Sequence, residues 1–131
     1  MKIQELRIGN KVSFKDTVVE IAGVSGIVYS FGAIDVTIFR GGKTEMHDLK
    51  TLSPIPLTED ILLKSGFELS DRDWDYWDPK EELSFCMSIF GDGLFFSAGE
   101  GITLNKYPIE YVHQLQNMFY VITGKELGVK L

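Results

Sequence analysis

Short runs of apolar and β-branched residues fill the first 50 positions. Ile34, Val36 and Ile38 alternate with Asp35 and Thr37, and this period of two predicts a strand with one buried side. The other strand-like runs in this region are "KVSF", "TVVEIAGV" and "IVYSF". The pattern therefore favours β-structure throughout the first part of the chain.

Turn signals separate these runs. "KDT" suits a tight turn between the first two, and Gly41-Gly42 supplies the positive φ of a two-residue hairpin before "KTEMHDL". Four or five short strands with tight turns are typical of a small curled sheet. We therefore expect residues 1–55 to form an SH3-like β-barrel.

The two prolines of "LSPIPLT" cannot sit in a central strand, so this segment reads as a connector. Thr58 then suits the N-cap of a short helix that ends at Gly66. The runs that follow are strand-like, with glycine-acid-glycine turns at 91–93 and 99–101: "LSFCMSIF", "LFFSA" and "ITLNKY". A second helix closes the pattern, and residues 56–131 are expected to form an α+β unit with an antiparallel meander.

The second helix is predicted to begin at Pro108 and to end at Gly124. At 100° per residue one apolar stripe forms, which should pack on the sheet: Val112, Leu115, Phe119 and Ile122.

The opposite side of this helix is unusual. No Asp, Glu, Lys or Arg occurs from Tyr111 to Gly124. The uncharged outer face consists of Gln114, Asn117 and Val121, and protein interfaces are depleted in Lys, Glu and Asp at their centres. This face is either solvated or a contact surface for the first half of the chain, a second copy or another protein.

The polar flank of the same helix consists of His113, Gln116 and Tyr120. These side chains could hydrogen-bond a ligand, although a structural histidine at the margin of the core is the favoured interpretation.

A second candidate is the aromatic cluster of Trp74, Tyr76 and Trp77. Aromatic side chains beside carboxylates could bind a sugar, a cationic group or a peptide. On a strand Trp77 points away from the other two, so one set is expected in the core.

Metal, cofactor and catalytic signals are weak. Asp71, Asp73 and Asp75 have the spacing of an EF-hand loop, but Tyr76 stands where the sharp turn needs glycine. That stretch is therefore read as an acidic loop or edge strand. Two histidines give no zinc-ligand spacing, and the single Cys86 is expected to be a buried, unreactive thiol. No phosphate-loop or nucleophile motif occurs, so we expect neither a cofactor nor an enzyme.

The formal charge of −6 is unevenly distributed. Residues 1–57 carry a net charge of +1 and residues 58–131 a net charge of −7. An acidic surface repels phosphate, so nucleic acid would have to contact the first half. The basic and aromatic residues available there are Lys11, Lys15, Arg40, Lys43 and Lys50 with Phe14, Tyr29, Phe31 and Phe39.

No apolar run approaches the roughly 20 residues of a membrane span, and "MKIQELRIGN" lacks the apolar part of a secretory signal. A cytoplasmic location is expected.

Three segments resemble a family of small uncharacterised proteins of gut anaerobes, often found near prophage or mobile-element genes. They are "IQELRIGNKV", "IPLTEDILLKSGFEL" and "YVHQLQNMFYVITGKEL". The resemblance implies a small intracellular accessory protein and supplies no activity and no catalytic residue.

The sequence thus predicts a non-enzymatic binding or protein-interaction module, with a homodimer through the last helix as one form of it. Two alternatives stay open: nucleic-acid binding through the barrel, and a small ligand-binding protein or hydrolase near His113 or Trp74–Trp77.

Overall fold

The computed structural model describes residues 1–28, 34–97, 105 and 107–131, with the backbone alone at 25–28. The chain divides into two compact units, Met1–Ile55 and Pro56–Leu131. The described residues form an α+β protein with two antiparallel sheets and two α-helices.

Where the first unit is described, it forms a five-stranded antiparallel sheet in the order β4-β3-β2-β1-β5. Its strands are β1 (Lys11–Phe14), β2 (Thr17–Val28), β3 (Ile34–Arg40), β4 (Lys43–Asp48) and β5 (Leu52–Ser53). Short 3₁₀ turns occupy Ile3–Glu5 and Leu49–Thr51. Among the described strands, β4 and β5 stand at the two edges, and closure into an SH3-like barrel stays a prediction. Tyr29 and the rest of the predicted "IVYSF" run beyond Val28 lie outside the described residues.

Both predicted turns of this unit are confirmed. Lys15 and Asp16 join β1 to β2 with φ of 48° and 61°, and Gly41 and Gly42 join β3 to β4 with φ of 59° and 80°. Two successive positive φ values give the backbone twist that matches a two-residue hairpin.

The core of the first unit follows the predicted alternation. Val36 and Ile38 are fully buried on β3, and Thr37 between them points to the other side of the sheet. The remaining buried apolar residues are Leu6, Val12, Phe14, Val19, Ile21 and Leu52.

The described residues of the second unit form helix α1 (Glu59–Lys64), four strands and helix α2 (Val112–Thr123). The strands are β6 (Phe67–Ser70), β7 (Asp73–Asp78), β8 (Leu83–Phe90) and β9 (Gly93–Phe96), paired in that order. The predicted strand "ITLNKY" and the turn at 99–101 fall largely outside the described residues.

Helix α1 has the predicted ends. The Thr58 hydroxyl accepts a hydrogen bond from the backbone N–H of Ile61 at 3.2 Å, which satisfies one of the free donors of the first turn. Gly66 has φ of 98°, and the Cβ of any other residue there would lie 3.2 Å from the Tyr76 ring. Glycine therefore permits both the end of the helix and the start of β6.

Aromatic rings form the core of the second unit. The ring of Phe119 on α2 lies 5.2 Å from the ring centres of both Tyr76 and Phe85. Phe67 and Phe96 complete this cluster against Phe85. Helix α2 therefore packs on the sheet through Phe119, whose ring meets Tyr76 edge-on and Phe85 at a tilt.

The predicted start of α2 at Pro108 is wrong, because the helix begins at Val112 with Tyr111 as its N-cap. The preceding residues instead form backbone hydrogen bonds with β9 and with the connector. The N–H of Ile109 donates to the carbonyl of Leu94 at 2.7 Å, and the N–H of Leu57 donates to the carbonyl of Glu110 at 2.9 Å. The predicted end is confirmed, since Gly124 adopts a left-handed φ of 71° and donates to the carbonyl of Tyr120.

Candidate functional site

The buried face of helix α2 is rotated, relative to the predicted apolar stripe, towards the side that carries His113 and Gln116. Val112, Leu115 and Phe119 are buried as predicted, but so are His113 and Gln116. The prediction for Ile122 is wrong, because 41% of its surface is exposed. The helix therefore packs two polar side chains where the sequence pattern favoured an aliphatic one.

Part of the uncharged outer face has a local role. The side-chain oxygen of Gln114 accepts hydrogen bonds from the backbone N–H groups of Glu110 at 2.8 Å and Tyr111 at 3.1 Å. These two donors have no partner within the helix, so the amide acts as a cap. Gln114 and Asn117 are both half-buried.

The last turn of α2 is much more open. Val121 is 77% exposed, and its neighbours Tyr120 and Ile122 are 42% and 41% exposed. We call these three residues the α2 tip. They are three consecutive exposed residues, one aromatic and two aliphatic, at the end of a helix without charge, which is an unusual composition for a helix end that faces water.

The predicted polar flank is divided by the fold. His113 and Gln116 lie in the interior, whereas Tyr120 belongs to the α2 tip. The ring of His113 stacks on that of Tyr111, with centres 5.9 Å apart and planes 13° from parallel. The structure therefore does not place the three residues on one ligand-facing surface.

The aromatic cluster is divided in the same way, as the strand geometry predicted. Trp74 is 3% exposed on the side of β7 that faces the core, and Tyr76 beside it contacts Phe119. Trp77 is 59% exposed on the other side. Tyr76 lines a smaller cavity whose rim carries Lys125 as well as acidic residues, whereas Trp74 lines a separate cavity with apolar walls and an acidic rim.

That cavity, the acidic cleft, has a volume of about 380 Å³. Its apolar lining comes from Leu57, Leu62, Trp74, Ile89, Leu94, Pro108 and Ile109. Three carboxylates also line it, those of Glu59, Asp92 and Glu110, and all three residues are exposed. The described lining contains no Lys or Arg.

Backbone hydrogen bonds hold the walls of the acidic cleft in place. The Leu57–Glu110 and Ile109–Leu94 bonds already described join three of its segments. Gly93 allows a close approach, because a Cβ there would lie 2.7 Å from the Phe95 ring and 3.0 Å from Pro108. The cleft is therefore bounded by paired backbone rather than by side chains alone.

The sheet surface turned away from Phe119 carries acidic side chains around Cys86. The Ser88 hydroxyl donates to a carboxylate oxygen of Asp73 at 2.6 Å, and Asp75 lies directly across from Cys86. Burial raises the pKa of the Cys86 thiol to about 12, with a further contribution from its hydrogen bond to Asp75. The thiol is half-buried rather than fully buried, and its high pKa fits the predicted lack of reactivity.

The EF-hand alternative does not fit the described backbone. Asp71 and Arg72 form a hairpin turn, in which Asp71 has φ of 57°, and strands flank them on both sides. In the described ranges, no group of three or more His, Cys, Asp or Glu side chains is placed to hold a metal ion. Asp71 thus lies in a hairpin turn, whereas Asp73 and Asp75 lie on β7, and the edge-strand prediction is wrong because β7 is paired with β6 on one side and β8 on the other.

The first unit has a polar cluster at the edge of its core. A guanidinium nitrogen of Arg40 contacts both carboxylate oxygens of Glu45, at 2.9 and 3.1 Å, and the His47 ring contacts one of them at 3.0 Å. The hydrogen bond to His47, followed by that to Arg40, lowers the pKa of Glu45. Phe14 packs against His47 with ring centres 4.2 Å apart, and Arg40 also lies over the Phe14 ring.

This cluster affects the nucleic-acid alternative. Arg40 is paired with Glu45, Lys11 lies 3.4 Å from Glu20, and Phe14 is buried. Phe39 is the exposed aromatic residue among those named for stacking, and Tyr29 and Phe31 lie outside the described residues. Nucleic-acid binding stays a prediction, with fewer available groups than the sequence suggested.

No helix in the described part of the chain is long and apolar enough to cross a membrane. Comparison with protein-family models, with curated proteins and with solved structures found no match. The resemblance to the gut-anaerobe family therefore stays a prediction.

Sequence reasoning missed the acidic cleft. Its lining comes from four separated stretches, around Leu57–Leu62, Trp74, Ile89–Leu94 and Pro108–Glu110. Among the lining residues, only Trp74 belongs to a site predicted from the sequence. The others look like ordinary turn, strand and connector residues, and long-range pairing is what assembles them.

Proposed function

We propose that the protein is a non-enzymatic interaction module that binds a second copy of itself through the α2 tip. The observation that carries the proposal is the 77% exposure of Val121 between two further exposed apolar residues. Aromatic and apolar side chains of this kind are typical of the buried centre of an interface.

The lack of charge favours a second copy over an unrelated partner. In a two-fold dimer each patch meets the same patch of its partner, so a charged patch would meet its own charge. The chain as a whole carries −6, yet the 14 residues from Tyr111 to Gly124 carry none. The nearest following charge, on Lys125, lies 3.5 Å from a carboxylate oxygen of Glu81.

The test is the molar mass by light scattering over a concentration series for the wild type, Val121→Glu and Met46→Glu. Met46 is also a highly exposed apolar residue, on β4 of the other unit, so its variant introduces the same charge on a different unit of the chain. We expect the wild type and Met46→Glu to dimerise and Val121→Glu to remain monomeric. Circular dichroism must show that both variants are folded.

Two results would contradict the proposal. The first is a monomeric wild type at every concentration, which would exclude self-association. The second is a Val121→Glu variant that dimerises as well as the wild type, which would show that any dimer uses another surface.

A further inference from the structure

We propose that the acidic cleft binds a small organic cation, an ammonium or guanidinium group carried on a short hydrocarbon body. This site is separate from the α2 tip, and the inference does not depend on self-association.

The size and lining of the cleft suit such a molecule. Small-molecule pockets are concave, largely apolar, and of about 300–1,000 Å³, and the volume here is about 380 Å³. Leu62 and Trp74 are buried residues that line it, and Ile89 and Leu94 belong to paired positions of β8 and β9. These residues offer a surface for the hydrocarbon part of a ligand.

The charges determine the sign of the ligand. Glu59, Asp92 and Glu110 contribute three carboxylates, and the described lining has no basic residue to neutralise them. The ammonium group of Lys64, on the same short helix as Glu59, lies 2.8 Å from Asp60 instead. A cation is therefore attracted to the cleft and an anion repelled.

An organic cation fits better than a metal ion. A bare divalent ion needs several oxygens converging at about 2.0–2.6 Å, and these three carboxylates are not among any described group placed to hold a metal. Charge spread around an apolar cavity instead suits a ligand whose charged end and hydrocarbon body are bound by different parts of the site. The acidic sheet surface around Cys86 is not part of this cleft.

The two tryptophans allow a direct measurement. Trp77 is exposed outside the cleft, so Trp77→Phe leaves Trp74 as the sole tryptophan and as a reporter on the lining. The full chain carrying this change is titrated with 2-phenylethylammonium and, separately, with 2-phenylethanol, which has the same shape without the charge. Trp74 fluorescence and calorimetric heat are followed together.

We expect saturable binding of the ammonium at millimolar concentration and binding of the alcohol that is at least about tenfold weaker. Replacing one exposed carboxylate should weaken ammonium binding about two- to fivefold, and the combined Glu59→Gln, Asp92→Asn, Glu110→Gln variant about tenfold or more. The matched control is Glu68→Gln, which removes one charge from β6 outside the cleft and should leave the affinity unchanged.

Several outcomes would overturn the proposal. They are the absence of saturable binding in both measurements, equal affinity for the alcohol, and a combined variant that binds as the parent does. Displacement by Mg²⁺ beyond that by NaCl at the same ionic strength would assign the cleft to a metal ion and overturn it as well. None of these results bears on the light-scattering test of the α2 tip.

Discussion

The thiol of Cys86 should react slowly with disulfides in the folded protein, and Asp75→Asn should make it faster. Burial, and then the hydrogen bond to Asp75, raise its pKa to about 12. The reactive species is the thiolate, so a high pKa lowers the reactive fraction. Removing the Asp75 carboxylate should therefore lower the pKa of Cys86, although burial still keeps it above the ordinary value.

The expected reaction rate of Cys86 depends on two opposing effects of a high pKa: fewer thiolates are present, but each is a better nucleophile. At pH 8 a pKa of about 12 leaves about one thiolate in 10⁴, whereas an ordinary cysteine with pKa of about 8.5 is about one quarter ionised. The more basic thiolate is the better nucleophile. A Brønsted coefficient of about 0.4–0.5 makes its intrinsic rate constant about 25- to 55-fold larger than that of an ordinary thiolate. The net result is a reaction about 40- to 100-fold slower than that of an ordinary cysteine, before any loss of access. Each unit by which Asp75→Asn lowers the pKa should raise the rate about three- to fourfold.

The assay is the absorbance change with 4,4′-dithiodipyridine at pH 8, a neutral disulfide that the acidic side chains do not repel. The urea-unfolded chain supplies the ordinary rate, because Cys86 is the only cysteine. Glu68→Gln is the matched control, since Glu68 pairs with Asp75 across the sheet and is not a cause of the raised pKa. A folded wild type that reacts as fast as the unfolded chain would refute the reasoning. So would Asp75→Asn and Glu68→Gln variants with the same rate.

Three further predictions concern stability. Thr58→Ala should destabilise the fold by about 1 kcal/mol and Thr58→Ser much less, since serine keeps the capping oxygen; equal urea midpoints for the two would argue against the cap. Phe119→Ala should cost about 3–5 kcal/mol, whereas Ile122→Ala, at a half-exposed site, should cost under about 1 kcal/mol; urea unfolding measures both, and similar losses would contradict the packing described for α2. The hydrogen bond to His47 lowers the pKa of Glu45 below its ordinary value of 4.5, so its stabilising contribution is present above that pH and lost as the pH falls through the lower folded value. Glu45→Gln should therefore flatten the acid side of the stability profile, and an unchanged acid transition by circular dichroism would count against it.

Local chemistry made much of the secondary structure predictable. The turn at Gly41-Gly42, the Thr58 cap and the left-handed Gly124 each depend on residues within a few positions of one another. Such interactions are visible in a short stretch of sequence because they need no partner from elsewhere in the chain.

The errors arose where distant segments compete. Pro108 is a favourable first residue of a helix, yet the residues after it pair with Leu94 and Leu57 and keep the chain extended. Hydrophobic periodicity likewise placed Ile122 in the core, whereas the sheet surface available to α2 covers His113 instead. A pattern along one helix does not reveal which neighbours the fold will supply.

The candidate sites show the same division. Strand alternation correctly predicted that Trp74 and Trp77 lie on opposite sides of β7. The acidic cleft could not be found in this way, because Glu59, Asp92 and Glu110 lie far apart along the chain and meet only through tertiary structure.

The backbone hydrogen bond between Leu57 and Glu110 joins an early segment of the second unit to a late one, and pairing of this kind also bears on how the protein is made. Pro56 bridges to Tyr111, and the backbone N–H of Lys130 donates to the Ser65 hydroxyl at 3.1 Å. Both contacts join an early residue of this unit to a late one, so they form only after the ribosome has released most of the unit. The first unit has most of its strands paired with their neighbours in sequence, and it can begin to fold while the second is still being synthesised. We therefore expect maturation in two stages, with a second unit that stays sensitive to proteases until all of that unit has left the ribosome.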